Sequence, residues 1–241
     1  MLLIGNATRL SRYVTHLDKT YTATARFGAV SDTLDADGEI SELDAPMPDE
    51  RTLRAALPNF TGDLLQTPPM ASAIKVEGVR LYDLHRRGLT VEREARRVQV
   101  HALTLIAFNP DQQAATFEVS CSSGTYVRTL ISDLAASLQT GAYLTALRRT
   151  TVGHLSVENA SSPEALSPIT LFNRIIQSRE VVSHLPGLEV DEEGERLVAS
   201  GRLLPARGML GSFRVEREGE LLAVYRGEGE VARAEVVLCG G

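Results

Sequence analysis

The stretch "GTYVRTLISDLAASLQ" limits the fold more than any other part of the chain. Its residues Val127, Leu130, Ile131, Leu134, Ala135 and Leu138 recur at i, i+3, i+4, i+7, i+8 and i+11. That spacing draws one apolar stripe along an α-helix, and such a stripe is stable only when another layer covers it. Upstream stand two β-rich runs, "RVQVHALTLIAF" and "AATFEVSCSS", and downstream "AYLTALRRTTVGHLSV" returns to strands. Earlier, "TYTATARF" (Thr20–Phe27) alternates, which places Tyr21, Ala23, Ala25 and Phe27 on one face of a strand. The expected architecture is α+β, with helices laid on a sheet.

The remaining segments fill in the outline. Residues 6–17 read as a helix with Asn6 as N-cap and Leu10, Tyr13, Val14 and Leu17 on one side. The apolar run Met1–Ile4 in front of it reads as a buried strand. Residues 49–57 form a short helix, and "RLYDLHRRG" a helix closed by Gly88. The Pro- and Ser-rich "SSPEALSPI" marks a boundary region. Behind it come a short helix and the small strands "GSFRVER", "ELLAVYRG" and "RAEVVL". They make a β-rich, barrel-like module of about 50–60 residues, near the lower size limit for independent folding.

Composition removes several classes. With 43% apolar and 23% charged residues in 241, the chain is globular rather than disordered. Its longest apolar runs are too short to span a bilayer, and Met1–Ile4 is too short for a signal-peptide core. Cys121 and Cys239 share no metal-ligand spacing, so a reduced, cytoplasmic protein is expected. The five histidines share no ligand spacing, and no G-x-S-x-G, Walker or dinucleotide motif occurs. "TLDADG" has Thr33 where a calcium loop needs its first acid and Asp44 where it needs the twelfth-position Glu, and reads as an Asp-Gly turn. No metal is expected.

Three features carry possible chemistry. With Thr125 as N-cap, Arg128 is a cation in the first turn of the striped helix, where the dipole disfavours it by a few tenths to ~1 kcal/mol. It is either a solvated surface residue or the partner of an anion. From Pro68 to Val98 there are seven Lys and Arg against four Asp and Glu, Glu77 among them, so this segment is +3 in a chain of net −6. Tyr82 and His85 interleave with these bases. The pattern suits an arm that follows a phosphate backbone, or an exposed helix with ordinary charge pairing. Tyr21, flanked by Ala23 and Ala25, is a core aromatic or a ring with room to stack on a planar ligand.

Longer strings settle the choice by resemblance. "KTYTATARFGAVSDTLDADGEI", "FTGDLLQTPPMASAIKVEGVRLYDLHRRG" and "CSSGTYVRTLISDLAASLQTGAYLTALRRT" run in the order of the bacterial tRNA pseudouridine synthase B (TruB) family. The resemblance covers nearly the whole chain and extends to the tail, which is similar to that family's PUA-type RNA-binding module. It implies a pseudouridine-synthase-type mixed, largely antiparallel sheet over residues 1–180, a thumb-like segment at about 66–98, and a PUA-like β-barrel at 186–241. It implies conversion of uridine 55 in the TΨC arm of tRNA to pseudouridine by a monomer without metal or organic cofactor. The base is flipped out and re-attached through carbon after an aspartate attacks the sugar. Tyr21 then corresponds to the tyrosine that stacks on the flipped base and is a candidate proton acceptor. Arg128 corresponds to the arginine that pairs with the catalytic aspartate. Tyr126 and Leu147 correspond to residues of the uracil pocket, and Lys75 and Arg86 are chosen as phosphate contacts on the thumb.

The resemblance also identifies a gap. The family's aspartate lies in G-H-x-G-x-L-D-P-x-A-x-G-x-L, which runs into a strand and then G-x-A-T-[KR]-L. Only Gly5-Asn6-Ala7-Thr8-Arg9-Leu10 of this is in the sequence, and none of Asp18, Asp32, Asp35 or Asp37 holds an equivalent position. Three expectations stand. A start codon set too far downstream predicts in-frame DNA for G-H-x-G-x-L-D-P before Met1. A truncated protein would bind tRNA, or aid its folding, without catalysis. A non-functional fragment would not pack and would show no cooperative melting.

Overall fold

The computed structural model describes residues 1–76 and 78–239; Glu77, counted in the charge balance above, lies outside them. In chain order the helices and strands are α1 (Ser11–Thr15), β1 (Lys19–Phe27), β2 (Ala29–Ser31), β3 (Ile40–Glu42), α2 (Glu50–Ala56) and β4 (Gly62–Gln66). Next come β5 (Lys75–Val76), β6 (Val79–Arg80), α3 (Leu81–Arg86), β7 (Arg96–Asn109), β8 (Ala114–Cys121), α4 (Val127–Ser137), β9 (Ala142–Val152) and β10 (Leu155–Ser156). The remainder holds α5 (Pro168–Phe172), α6 (Ser178–Val181), β11 (Gly187–Glu189), α7 (Glu192–Ala199), β12 (Leu204–Pro205), β13 (Gly211–Arg217), β14 (Glu220–Glu228) and β15 (Val231–Val237). They fall into two compact units, Leu17–Glu158 and Met1–His16 with the chain from Asn159 onward.

The first unit is a six-stranded antiparallel sheet in the order β10-β9-β1-β8-β7-β4. Its core joins Ala23, Ala25 and Phe27 of β1 to Val127, Leu130, Ile131, Leu134 and Ala135 of α4 and to Leu53 and Ala56 of α2. The apolar stripe of α4 is therefore covered by the alternating face of β1, and Leu138 packs at its edge. Each large side chain buried this way contributes about 1.5–3 kcal/mol. Asp49 caps α2 through a bond from Thr52 N–H, and Gly88 ends the α3 segment at φ +70° with its N–H on His85 O. The architecture is α+β, as the periodicities require.

The second unit holds a curled sheet ordered β11-β13-β14-β15-β12, in which β11 and β13 run parallel and the other pairs antiparallel. Phe213, Val215, Tyr225 and Val198 of α7 are fully buried in its core. Its N-terminal part departs from expectation. Met1, Leu2 and Ile4 are 57%, 89% and 65% exposed, because no strand forms there to bury them. Asn6 is not a cap: Gly5–Leu10 is a 3-10 turn entered from Ile4, and α1 ends at Thr15.

What holds residues 1–16 is Glu235 on β15. Its carboxylate accepts from Tyr13 Oη at 2.9 Å, Ser212 Oγ at 2.7 Å and Arg226 Nε at 2.9 Å, and Arg12 stands 3.3 Å away. Burial alone would raise its pKa, but the bonds from Ser212, Arg226 and Tyr13 and the Arg12 charge outweigh that and lower it. Burial also drives the Tyr13 phenol up to about 12. A carboxyl with a lowered folded pKa adds stability above its ordinary value and loses it as pH falls through the lowered one. Acidification below about pH 4 is therefore expected to release α1. Glu235→Gln should release it at neutral pH, seen as faster trypsin cleavage after Arg12.

Candidate functional site

One end of the six-stranded sheet collects the residues of interest. The antiparallel register sets Lys19 opposite Cys121 and Tyr21 opposite Val119 on one side, and Tyr21 opposite Arg149 and Ala23 opposite Leu147 on the other. Residues directly opposite share a face, so Tyr21, Leu147 and Arg149 stand on the same side of the sheet as Ala23. Tyr21 is half-buried against the core, while Leu147 is 45% exposed at its rim. Burial raises the Tyr21 pKa, the Cys121 sulfur adds to this, and Arg149 opposes it. At neutral pH the side chain is a neutral phenol beside a guanidinium.

From Cys121 the chain turns through Ser122–Thr125 into α4. Tyr126, not Thr125, is the N-cap, with φ −97° and ψ 103°, and it has no side-chain cap bond of its own. Gln66, at the end of β4 and 4% exposed, takes over. Its Oε1 accepts from Tyr126 N–H at 2.7 Å and its Nε2 donates to Tyr126 O at 3.1 Å. The hydroxyl of Thr125 lies 3.4 Å from that of Ser122 instead. A buried amide serving both backbone groups fixes where the helix starts. Gln66→Ala should cost about 2 kcal/mol by stranding a buried N–H, measured as a lower urea midpoint with an unchanged slope.

Arg128 is not solvated. Its side chain is 20% exposed, and it makes three bonds to two separate segments. Nη1 donates to Thr33 O at 2.9 Å and to Asp35 Oδ2 at 2.5 Å, and Nη2 donates to Ala71 O at 2.7 Å. Charge-assisted bonds of about 1.5–3 kcal/mol each outweigh the dipole penalty. The carboxylate that explains this first-turn cation is thus Asp35, within the chain.

Asp35 belongs to the turn between β2 and β3, read from the sequence only as an Asp-Gly turn. The turn is tightly cross-bonded: Thr33 Oγ1 donates to Asp35 Oδ1 at 2.6 Å, and Glu39 N–H to Asp32 Oδ1 at 2.8 Å. Leu34 O accepts from Leu144 N–H at 3.0 Å, which ties the turn to β9. Gly38 is required by crowding, since a Cβ there would lie 2.1 Å from Asp32 Oδ1 and 2.5 Å from Ser31 Oγ.

The basic segment is built as a small hairpin and a helix. Lys75 on β5 pairs with Arg80 on β6, and both are exposed. The Arg80 and Arg86 guanidiniums lie 5.8 and 5.7 Å from the centre of the Tyr82 ring, and Arg80 donates to Tyr82 Oη at 3.0 Å. Leu81, fully buried, anchors α3. Arg86 therefore shares the Tyr82 ring with Arg80, and Lys75 pairs with Arg80 across the hairpin, while Tyr126 and Arg128 share the start of α4 and Tyr21 and Leu147 one sheet face. Sequence reasoning missed Asp35, Gln66 and Arg149; only the position of Asp35 in an acid-rich turn hinted at any of them.

Residues 1–127 match the family described as TruB family pseudouridylate synthase, N-terminal domain. A tRNA pseudouridine synthase B of Burkholderia lata is 43% identical over 228 residues, which is 93% of this chain and 69% of that protein. The protein of that name from Pasteurella multocida is 38% identical over 208 residues, 83% of this chain and 67% of that one. Among solved structures, a chain of a Cbf5–Nop10–Gar1 complex superposes with a TM-score of 0.72 at 19% identity, over 98% of this chain and 70% of that one. A chain of an H/ACA ribonucleoprotein bound to a substrate RNA containing 2'-deoxyuridine gives 0.68 at 18% identity, over 97% of this chain and 70% of that one.

Proposed function

Because the chain belongs to the TruB family of pseudouridylate synthases, we propose that it recognises the TΨC arm of tRNA and serves the conversion of uridine 55 to pseudouridine. The observation that carries this is the bonding of Arg128: a guanidinium held by Asp35, Thr33 O and Ala71 O beside the Tyr126 cap. Such a fixed cation can stabilise negative charge near a flipped base. Tyr21 and Leu147, on one sheet face, are the proposed platform and wall for uracil. Burial raises the Tyr21 pKa and Arg149 opposes the rise; the neutral ring is the proposed stacking surface, and its hydroxyl, beside that guanidinium, the proposed proton-transfer group. Lys75 and Arg86 are the proposed phosphate contacts, with Tyr82 between the flanking arginines. Residues 186–241 are proposed as a PUA-type RNA-binding module. A cytoplasmic monomer without metal or organic cofactor fits this chemistry, and no helix among the described residues is long and apolar enough to cross a membrane.

A second role, tRNA binding without catalysis, rests on the exposed cations of the 75–87 segment, and the family match supports the synthase role at least as well. Filter binding of a TΨC-arm stem-loop tests both. Four exposed cations, Lys75, Arg80, Arg86 and Arg87, should give a log–log salt slope of about −3. A flat slope or no binding rejects both roles. Pseudouridine formed only by a polypeptide that also carries the aspartate motif would establish the first.

A further inference from the structure

Arg128 lies on a closed circuit of contacts that also passes through α3. Its Nη2 holds Ala71 O, and the next residues carry α3 by the backbone: Tyr82 N–H donates to Ser72 O at 3.0 Å and Leu81 N–H to Ile74 O at 2.8 Å. From α3, His85 Nε2 reaches Asp32 Oδ2 at 3.2 Å. Asp32 is the immediate neighbour of Thr33, whose carbonyl accepts from Arg128 Nη1. The path thus returns to the residue it left. Both oxygens of Asp32 are engaged, Oδ1 by Glu39 N–H inside the turn and Oδ2 by His85 outside it.

We propose that the Asp32–His85 pair is a latch that couples the seating of the cationic segment 75–87 to the turn that aims Arg128. His85 is a positioning residue, and the role rests on the RNA-binding function proposed above. The exposed cations of this segment surround α3, so a phosphate backbone settling on them pulls on the helix. Without the pair, the hydrogen bonds that join the helix to the Arg128 circuit run through the 72–74 backbone. With it, the helix also holds the turn from the opposite side. Among the described residues, Asp32 lies within ion-pair distance of the imidazole.

Amide hydrogen exchange on the 241-residue protein tests the latch, free and with a TΨC-arm RNA stem-loop. In the free protein His85→Gln should speed exchange at Leu34, whose N–H donates to Ser31 O, by roughly two- to five-fold. Asp32→Asn should match it, and the double variant should add nothing further. RNA should slow exchange in α3 of both proteins, but at Leu34 mainly in the unmutated one. Equal Leu34 exchange in the variant and the parent, or a double variant that accelerates it beyond either single one, overturns the latch. Absence of any RNA binding overturns the functional proposal instead, and the free-protein comparison still decides whether the pair couples helix and turn.

Discussion

Arg128→Ala is expected to lower turnover by roughly 10²–10³-fold in a polypeptide that also carries the aspartate motif. One guanidinium satisfies a carboxylate and two carbonyls from two segments, and no smaller group reaches all of them. The variant leaves Asp35, 26% exposed at its side chain, without its cation. It also frees the β2–β3 turn from the segment after β4. With both partners only partly buried, the stability loss should be about 2 kcal/mol rather than the larger cost of a fully buried pair. Arg128→Lys should not rescue it, since an ammonium is a point charge without the planar fork. Single-turnover pseudouridine formation and urea unfolding separate the two effects. Near-normal turnover in the alanine variant would remove Arg128 from the chemistry.

Tyr21→Phe should act almost wholly on the chemical step. The ring and its packing against the core remain, so stem-loop affinity should change by no more than about two- to three-fold, while loss of a hydroxyl engaged in proton transfer lowers turnover by about 10²-fold or more. Tyr21→Ala should weaken affinity as well, because it removes the stacking surface. Measuring Kd in the 241-residue chain and kcat in the aspartate-containing polypeptide keeps the two quantities apart. If Phe supports full turnover, the hydroxyl is idle and Tyr21 is a platform alone.

These two residues differ in how far they could be read in advance. Tyr21 was placed on its face by a strict alternation with Ala23, Ala25 and Phe27, and the sheet keeps that alternation because neighbouring strands on both sides enforce it. The α4 stripe and the Gly88 stop were legible for the same reason, since each follows from backbone geometry within a few residues. Arg128 was legible only as an anomaly. A cation in the first helical turn needs an anion, but its partner lies 93 residues away in a turn whose local chemistry is ordinary. Gln66 is 60 residues from the helix it caps, and nothing in "GDLLQTPP" marks it. Met1–Ile4 misled because apolar composition states only that a segment prefers burial. Whether it is buried depends on a neighbouring surface, and here the run forms no strand and stays exposed.

The sequence by itself determined the α+β class, the striped helix, the alternating strand and the positive segment. Hydrophobic periodicity and charge are properties of adjacent residues and survive without knowledge of the chain's path. Only the tertiary structure decided that Asp35 holds Arg128, that Gln66 starts α4 and that Glu235 retains α1. Each of these contacts joins groups far apart along the chain, and their partners are chosen by how the sheet and its turns bring them within hydrogen-bond reach.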